Sequence, residues 1–255
     1  MTRTGSPYRG DQKQWSNVTK RLIAEHPLDP DQILEIAQTA WQHLWQTTIG
    51  TGKHRIRLSE LRVPASVVGY FFEVLFAREL ERRSDGQWRQ GQTADEKDLV
   101  YVPDPRYSTE VKTSGQLGDK VFGNRSYGQK TADDLRGKKE KSGYYITVNF
   151  YGRTLTLLRF GWIDADDWNP QLAPTGQMAG LPDVVYRWKL VDIRGDYQLQ
   201  APVRLLPGVG PGRAEALRQL GIATVGELIA AEVTMPTKTL VAIQDQARRR
   251  FQSRR

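Results

Sequence analysis

Asp98, Glu110 and Lys112 are the residues of this 255-residue chain whose types and spacing could do chemistry together. They lie in the stretch DLVYVPDPRYSTEVKTS, residues 98–114. It opens on an acid, runs as a strand, turns on prolines and returns through Glu110-Val111-Lys112. Strand side chains alternate faces. Asp98, Val100 and Val102 therefore share one face of the first run. Glu110 and Lys112 share one face of the second, with Val111 on the other. A turn centred near Asp104-Pro105 brings Asp98 roughly opposite residues 110–112, so two carboxylates and an ammonium cluster at one end of a strand pair. Two carboxylates can hold a magnesium ion against a scissile phosphate. The ion lowers the pKa of a bound water and stabilises charge on the phosphate oxygens, and a lysine beside it can orient that water or stabilise the transition state. The competing reading is a surface ribbon on which Glu-x-Lys is ordinary decoration.

Composition narrows the choice. There are 37 Lys and Arg against 29 Asp and Glu, a net charge of +8, and the pI is near 9.7. That balance suits a polyanionic partner. There is no cysteine, which removes disulfides, thiolate zinc sites and thiol catalysis and fits a reducing compartment. Only three histidines are present, so a catalytic metal would be held mainly by carboxylates, which favours a hard ion such as magnesium. No long apolar run suggests a membrane span, and the polar start MTRTGSPYRGDQKQW lacks a signal-peptide core. The expectation is a soluble, cytoplasmic protein with no membrane partner.

The elements that must position the three residues are legible in part. Residues 1–28 are polar and weakly patterned and read as an N-terminal arm. Asp29-Pro30 opens a helix, with Asp as N-cap and Pro at the first helical position. Ile33, Leu34, Ala37, Trp41, Leu44 and Trp45 follow at helical spacing. Pro64 starts a second helix, which buries Val67, Val68, Phe71, Phe72 and Leu75. Beyond the 98–114 hairpin, GYYITVNFYGRTLTLLRFGWI reads as two strands joined near Tyr151-Gly152-Arg153, and DVVYRWKLVDI reads as a further strand. This order predicts an α/β domain over 29–194 with a mixed sheet flanked by helices. A polar linker is expected at 195–202 and a small all-α module over 203–255.

Asp98…Glu110-Val111-Lys112 resembles the signature of the PD-(D/E)xK nucleases, which include many type II restriction endonucleases. Lys97 stands where that family's leading Pro would be. The resemblance implies a restriction-endonuclease-like core in which Asp98 and Glu110 bind Mg2+ and Lys112 is catalytic. It also implies a helix glutamate before the first catalytic strand, and Glu73 is the matching candidate. Gly69, Glu73 and Ala77 fall on one helix stripe, where two small residues leave room for a strand end. The plainer alternative for Glu73 is a solvent-facing acid.

Two further segments suit a nucleic acid. Just after the hairpin, KTSGQLGDKVFGNRSYGQKTADD carries Asn124, Arg125, Ser126, Gln129 and Lys130 among four glycines. Arg, Asn and Gln can read base edges bidentately, so a DNA-contacting loop is preferred over a plain one. The C-terminal run LLPGVGPGRAEAL resembles a helix-hairpin-helix element. There Gly208 and Gly210 permit a tight turn into a helix N-terminus that can dock a phosphate, and Gly212 and Arg213 join them as expected DNA contacts. Such contacts hold the duplex without reading sequence. Residues 201–255 carry nine Lys and Arg against four Asp and Glu, a net of +5. The alternative for this module is a bundle that packs on the main domain or dimerises.

Together these features predict a magnesium-dependent, sequence-specific endonuclease acting on double-stranded DNA, most like a type II restriction enzyme. The family likeness implies a homodimer and functional pairing with a DNA methyltransferase. The alternatives are a structure-specific or DNA-repair nuclease on the same core, a non-catalytic DNA-binding scaffold, and an RNA-processing protein.

Overall fold

The computed structural model describes residues 5–128, 140–170, 178–232 and 238–251. Helices α1 (Trp15–Ala24), α2 (Pro30–Gln46) and α3 (Ala65–Arg83) come first, and a small ribbon of β1 (Thr48–Ile49) and β2 (Ile56–Arg57) joins α2 to α3. There follow β3 (Trp88–Gln90), β4 (Leu99–Tyr101), β5 (Thr109–Ser114), β6 (Phe122–Asn124), β7 (Gly143–Tyr151) and β8 (Thr154–Ile163). Next come β9 (Asn169–Pro170), β10 (Met178–Gly180), α4 (Asp183–Trp188) and β11 (Leu190–Ile193). Helices α5 (Pro211–Gln219), α6 (Val225–Ala230) and α7 (Lys238–Phe251) close the chain. Six strands form one mixed sheet in the order β11-β8-β7-β5-β4-β3. Every pair is antiparallel except β5 with β7, which run parallel from Thr109↔Tyr144 to Ser114↔Asn149. The expected α/β class, a mixed sheet flanked by helices, holds.

The sheet has a helix-covered face and a second, partly polar one. On the first, Val111, Ile146, Val148 and Phe160 pack against α2 and α3 through Ile33, Leu44, Phe72 and Phe76. Fully burying a side chain of this size contributes about 1.5–3 kcal/mol. Helix α2 begins as its sequence demands. Asp29 accepts from the Gln32 amide at 2.8 Å, the Gln32 side chain accepts from the Asp29 amide at 3.2 Å, and Pro30 needs no donor. On the other face, Tyr127, Tyr145, Ile163 and Trp168 form a second cluster beneath a small sheet, β6-β10-β9.

Three expectations are corrected. Val67, expected on the buried side of α3, is exposed. The N-terminal arm contains a helix, α1, because Trp15, Thr19, Leu22 and Ile23 recur at helical spacing within a polar segment. The arm is also tied down. The Ser6 hydroxyl donates to Asp164 at 2.7 Å, and Thr19 donates to the Trp188 carbonyl at 2.6 Å. The buried Lys189 ammonium pairs with Asp164 and Asp167 and lies 4.5 Å from the Tyr8 ring and 4.8 Å from that of Trp15. The expected strand at 183–193 divides into α4 and β11, since Pro182 caps a helical turn and Asp183 sits in its first turn.

His26 follows α1 inside a ring of aromatics, with Tyr144 4.3 Å and Phe160 4.8 Å away between ring centroids. Its Nδ1 accepts from the Leu28 amide at 3.1 Å, and its Nε2 lies 2.9 Å from the Tyr107 carbonyl, which needs the N–H there. Burial pushes the imidazole down to about 4. The unfolded chain takes up this proton near pH 6.5, so the group's contribution is intact above that pH and is lost as pH falls towards 4. The loss amounts to roughly 3 kcal/mol. Urea midpoints at pH 7 and 4.5 should therefore differ more for the native chain than for His26→Gln.

Residues Asp196–Gln200, inside the stretch expected as a linker, form a 3-10 turn. The Tyr197 hydroxyl donates to the Ile193 carbonyl at 2.7 Å and accepts from the Leu158 amide at 2.9 Å, while Leu199 packs on the C-terminal helices. Those helices have their own core around Leu206, Leu217, Val225, Leu228 and Ile243. Among the described residues no helix is long and apolar enough to cross a membrane.

Candidate active site

The pair Leu99↔Thr109 sets the β4–β5 register and so puts Asp98 beside Glu110, as the turn at Asp104-Pro105 requires. Asp98 Oδ2 accepts from the Val111 amide at 2.8 Å, locking the start of one strand to the middle of the other. Val111 points into the helix-covered core, and alternation sends Glu110 and Lys112 to the opposite face. There Glu110 is 2% exposed, and its Oε1 takes Lys112 Nζ at 2.6 Å. Lys112 also lies 3.3 Å from the Val111 carbonyl. The structure thus brings Asp98, Glu110 and Lys112 together.

Burial works against the Lys112 ammonium, but Glu110 and Asp98 beside it more than offset that, and its pKa is raised. These neighbours hold Lys112 as an ammonium, a hydrogen-bond donor. In kind, the donors fit magnesium, which takes oxygen ligands and typically binds through one or two carboxylates plus substrate phosphate. Glu73 is half-buried on the stripe that also holds the buried Gly69 and Ala77. A β-carbon at Gly69 would come within 2.2 Å of the Thr113 hydroxyl, so that glycine lets α3 lie directly on β5. Among the described residues, however, no three Asp, Glu or His side chains gather closely enough to hold a metal, so Glu73 does not join Asp98 and Glu110 in a ligand trio.

A residue absent from the sequence reading completes the cluster. Tyr127 donates its hydroxyl to Glu110 Oε1 at 2.7 Å, and Lys112 Nζ lies 5.0 Å from its ring centroid. Burial, then the Glu110 charge, pushes this phenol far above its usual range. Its signal was a lone aromatic in the polar, glycine-rich run GNRSYGQK.

Among the expected DNA contacts, Asn124 is exposed at the end of β6, and its side chain accepts from the Ser126 hydroxyl at 2.6 Å. Arg125 to Gly128 form a 3-10 turn that abuts Glu110 through Tyr127. Gln129 and Lys130 lie outside the described residues. In the C-terminal module Gly208 has φ +82°, a left-handed turn that glycine allows. Arg213 donates to the Gly208 carbonyl and closes that turn. Gly210 caps α5, and Pro211 takes its first position. A β-carbon at Gly210 or Gly212 would meet no heavy atom within 4 Å, so the surface in front of them is open.

Comparisons with known proteins place the chain among restriction endonucleases. The family model described as ScaI restriction endonuclease matches residues 6–194. The Type II restriction enzyme ScaI of Streptomyces caespitosus is 38% identical over 197 residues, which is 74% of this chain and 84% of that protein. No solved structure matches. The matched region stops at residue 194, just ahead of the Asp196–Gln200 turn and the separate helical core.

Proposed function

The chain belongs to the ScaI restriction endonuclease family and is a type II site-specific deoxyribonuclease; on that premise we propose that it hydrolyses duplex DNA with magnesium at the Asp98–Glu110–Lys112 cluster. The observation that carries this reading is the pairing of Glu110 with Lys112 at 2.6 Å on the strand face next to Asp98. The surrounding sheet would then be a PD-(D/E)xK core. Asp98 and Glu110 would hold the ion, which when bound supplies an acidified water and charge neutralisation at the phosphate.

The chain's own residues do the rest. Protonated Lys112 donates hydrogen bonds, orients the attacking water and steadies charge on the pentavalent phosphorus. Glu73 assists from α3 by anchoring water. Asn124, Arg125, Ser126, Gln129 and Lys130 contact DNA beside the cut. Residues 203–255 act as a helix-hairpin-helix module that grips the backbone. Neither backbone strain nor internal packing requires glycine at Gly210, whose φ is −75° and whose front is open, so its smallness suits an approaching phosphate. A second copy of the chain, with a two-fold axis matching a palindromic site, and a companion DNA methyltransferase complete the expected partners.

Digestion of plasmid and phage DNA tests this reading. Discrete fragments with magnesium and intact DNA with a chelator are expected. An unfragmented substrate, or a smear at every enzyme concentration, would overturn it.

A further inference from the structure

Glu110 is held by a side chain that no motif marks. Tyr127 and Lys112 meet the same oxygen, at 2.7 and 2.6 Å. Lysine is a long, flexible donor, whereas a tyrosine has two side-chain torsions and a fixed hydroxyl direction. The Tyr127 ring is also seated. A β-carbon at Gly123 would come within 2.7 Å of it, and Trp168 meets it edge-on with centroids 4.8 Å apart. Lys141 donates to the carbonyl of Ser126 and lies 5.8 Å from the same ring. One rigid phenol therefore joins the backbone of the Arg125–Gly128 turn to a buried carboxylate.

We propose that Tyr127 is a positioning residue for Glu110: it fixes the carboxylate in the orientation that receives the metal ion and ties that orientation to the seating of residues 122–128. The inference rests on Glu110 being a magnesium ligand. A hydrogen-bond partner of a metal ligand is typically worth about 10–100-fold in metal affinity or activity. Here it also makes the ion's site sensitive to how the neighbouring loop lies on DNA.

Tyr127→Phe keeps the ring and deletes the bond. The control is Tyr186→Phe, whose hydroxyl accepts from the Val121 amide at 3.0 Å in the same region without contacting Glu110. Two quantities are read: manganese binding to the DNA-free enzyme by electron paramagnetic resonance, and the magnesium concentration for half-maximal cleavage. Tyr127→Phe should weaken the first and raise the second by about 10-fold, with Tyr186→Phe within about twofold of native. An unchanged Tyr127→Phe, or equal effects of the two variants, overturns the proposal. If Glu110→Gln binds manganese as well as the native enzyme, the metal assignment itself falls; if only Tyr127→Phe is silent, the positioning role falls alone. Should Tyr127→Phe fail to fold by near-ultraviolet circular dichroism, the native enzyme labelled at tyrosine ζ-carbons decides. At least one tyrosine resonance should shift on adding magnesium, and none shifting overturns the proposal.

Discussion

Replacing Lys112 with alanine is expected to slow cleavage by about 10²–10³-fold at saturating magnesium, the usual cost of removing one donor aimed at developing charge. DNA binding should stay within about threefold, because base and phosphate contacts elsewhere carry affinity. The reasoning starts from burial. Glu110 is 2% exposed, and the Lys112 side chain is 17% exposed. Removing the ammonium leaves the Glu110 charge uncompensated although the Tyr127 bond remains, at a cost of up to about 3–5 kcal/mol, so the variant should melt earlier when magnesium is absent. Magnesium can compensate the remaining carboxylate charge, so adding the ion should restore part of the lost melting temperature. The variant should also bind the ion at least as tightly as the native protein while cutting far more slowly. Single-turnover cleavage, gel shifts in chelator and thermal melts with and without magnesium check the three parts. Cleavage within a factor of about three of native would remove Lys112 from the chemistry, since a transition-state donor is worth far more than that.

The second large effect is expected at the other end of the molecule. A chain ended after Gln200 keeps the family-matched region and the Tyr197 anchor on β8 and loses the helices with their separate core. It should bind duplex DNA about 10–10²-fold more weakly at moderate salt. Its log-affinity should also depend less steeply on log-salt, by roughly 0.9 for each phosphate the module neutralises. Titrations at several salt concentrations, on protein whose fold is checked by circular dichroism, distinguish the readings. A module that only packs or dimerises would leave the slope unchanged.

The sequence exposed those features whose physics is local. Alternation alone put Glu110 and Lys112 on one face, and Asp29-Pro30 with Gln32 wrote the cap of α2 into four residues. The two long strands were legible because aromatic and β-branched residues crowd both runs around Gly152, whose φ is +58°. What failed was non-local. Helix α1 is held by Thr19 on the Trp188 carbonyl, and the residues before it by Ser6 on Asp164, partners that sit far along the chain, so the polar composition read as an arm. Tyr127 meets Glu110 across 17 positions and through a 3-10 turn, a geometry no periodicity encodes. Glu73 shows how far spacing reaches: it lies half-buried on the helix stripe beside the buried Gly69 and Ala77, as i, i+4 and i+8 predict.

The tie between the N-terminal segment and the far end of the sheet sets a clock on synthesis. Ser6 and Thr19 wait for partners 158 and 169 positions later. At about 5–20 residues per second on the ribosome, that wait is roughly ten to thirty seconds. His26, which braces the Tyr107–Thr109 entry to β5, follows the same helix. A nascent chain can thus carry Asp98, Glu110 and Lys112 for many seconds before their frame closes, and the nuclease comes of age only when its first residues meet nearly its last strand.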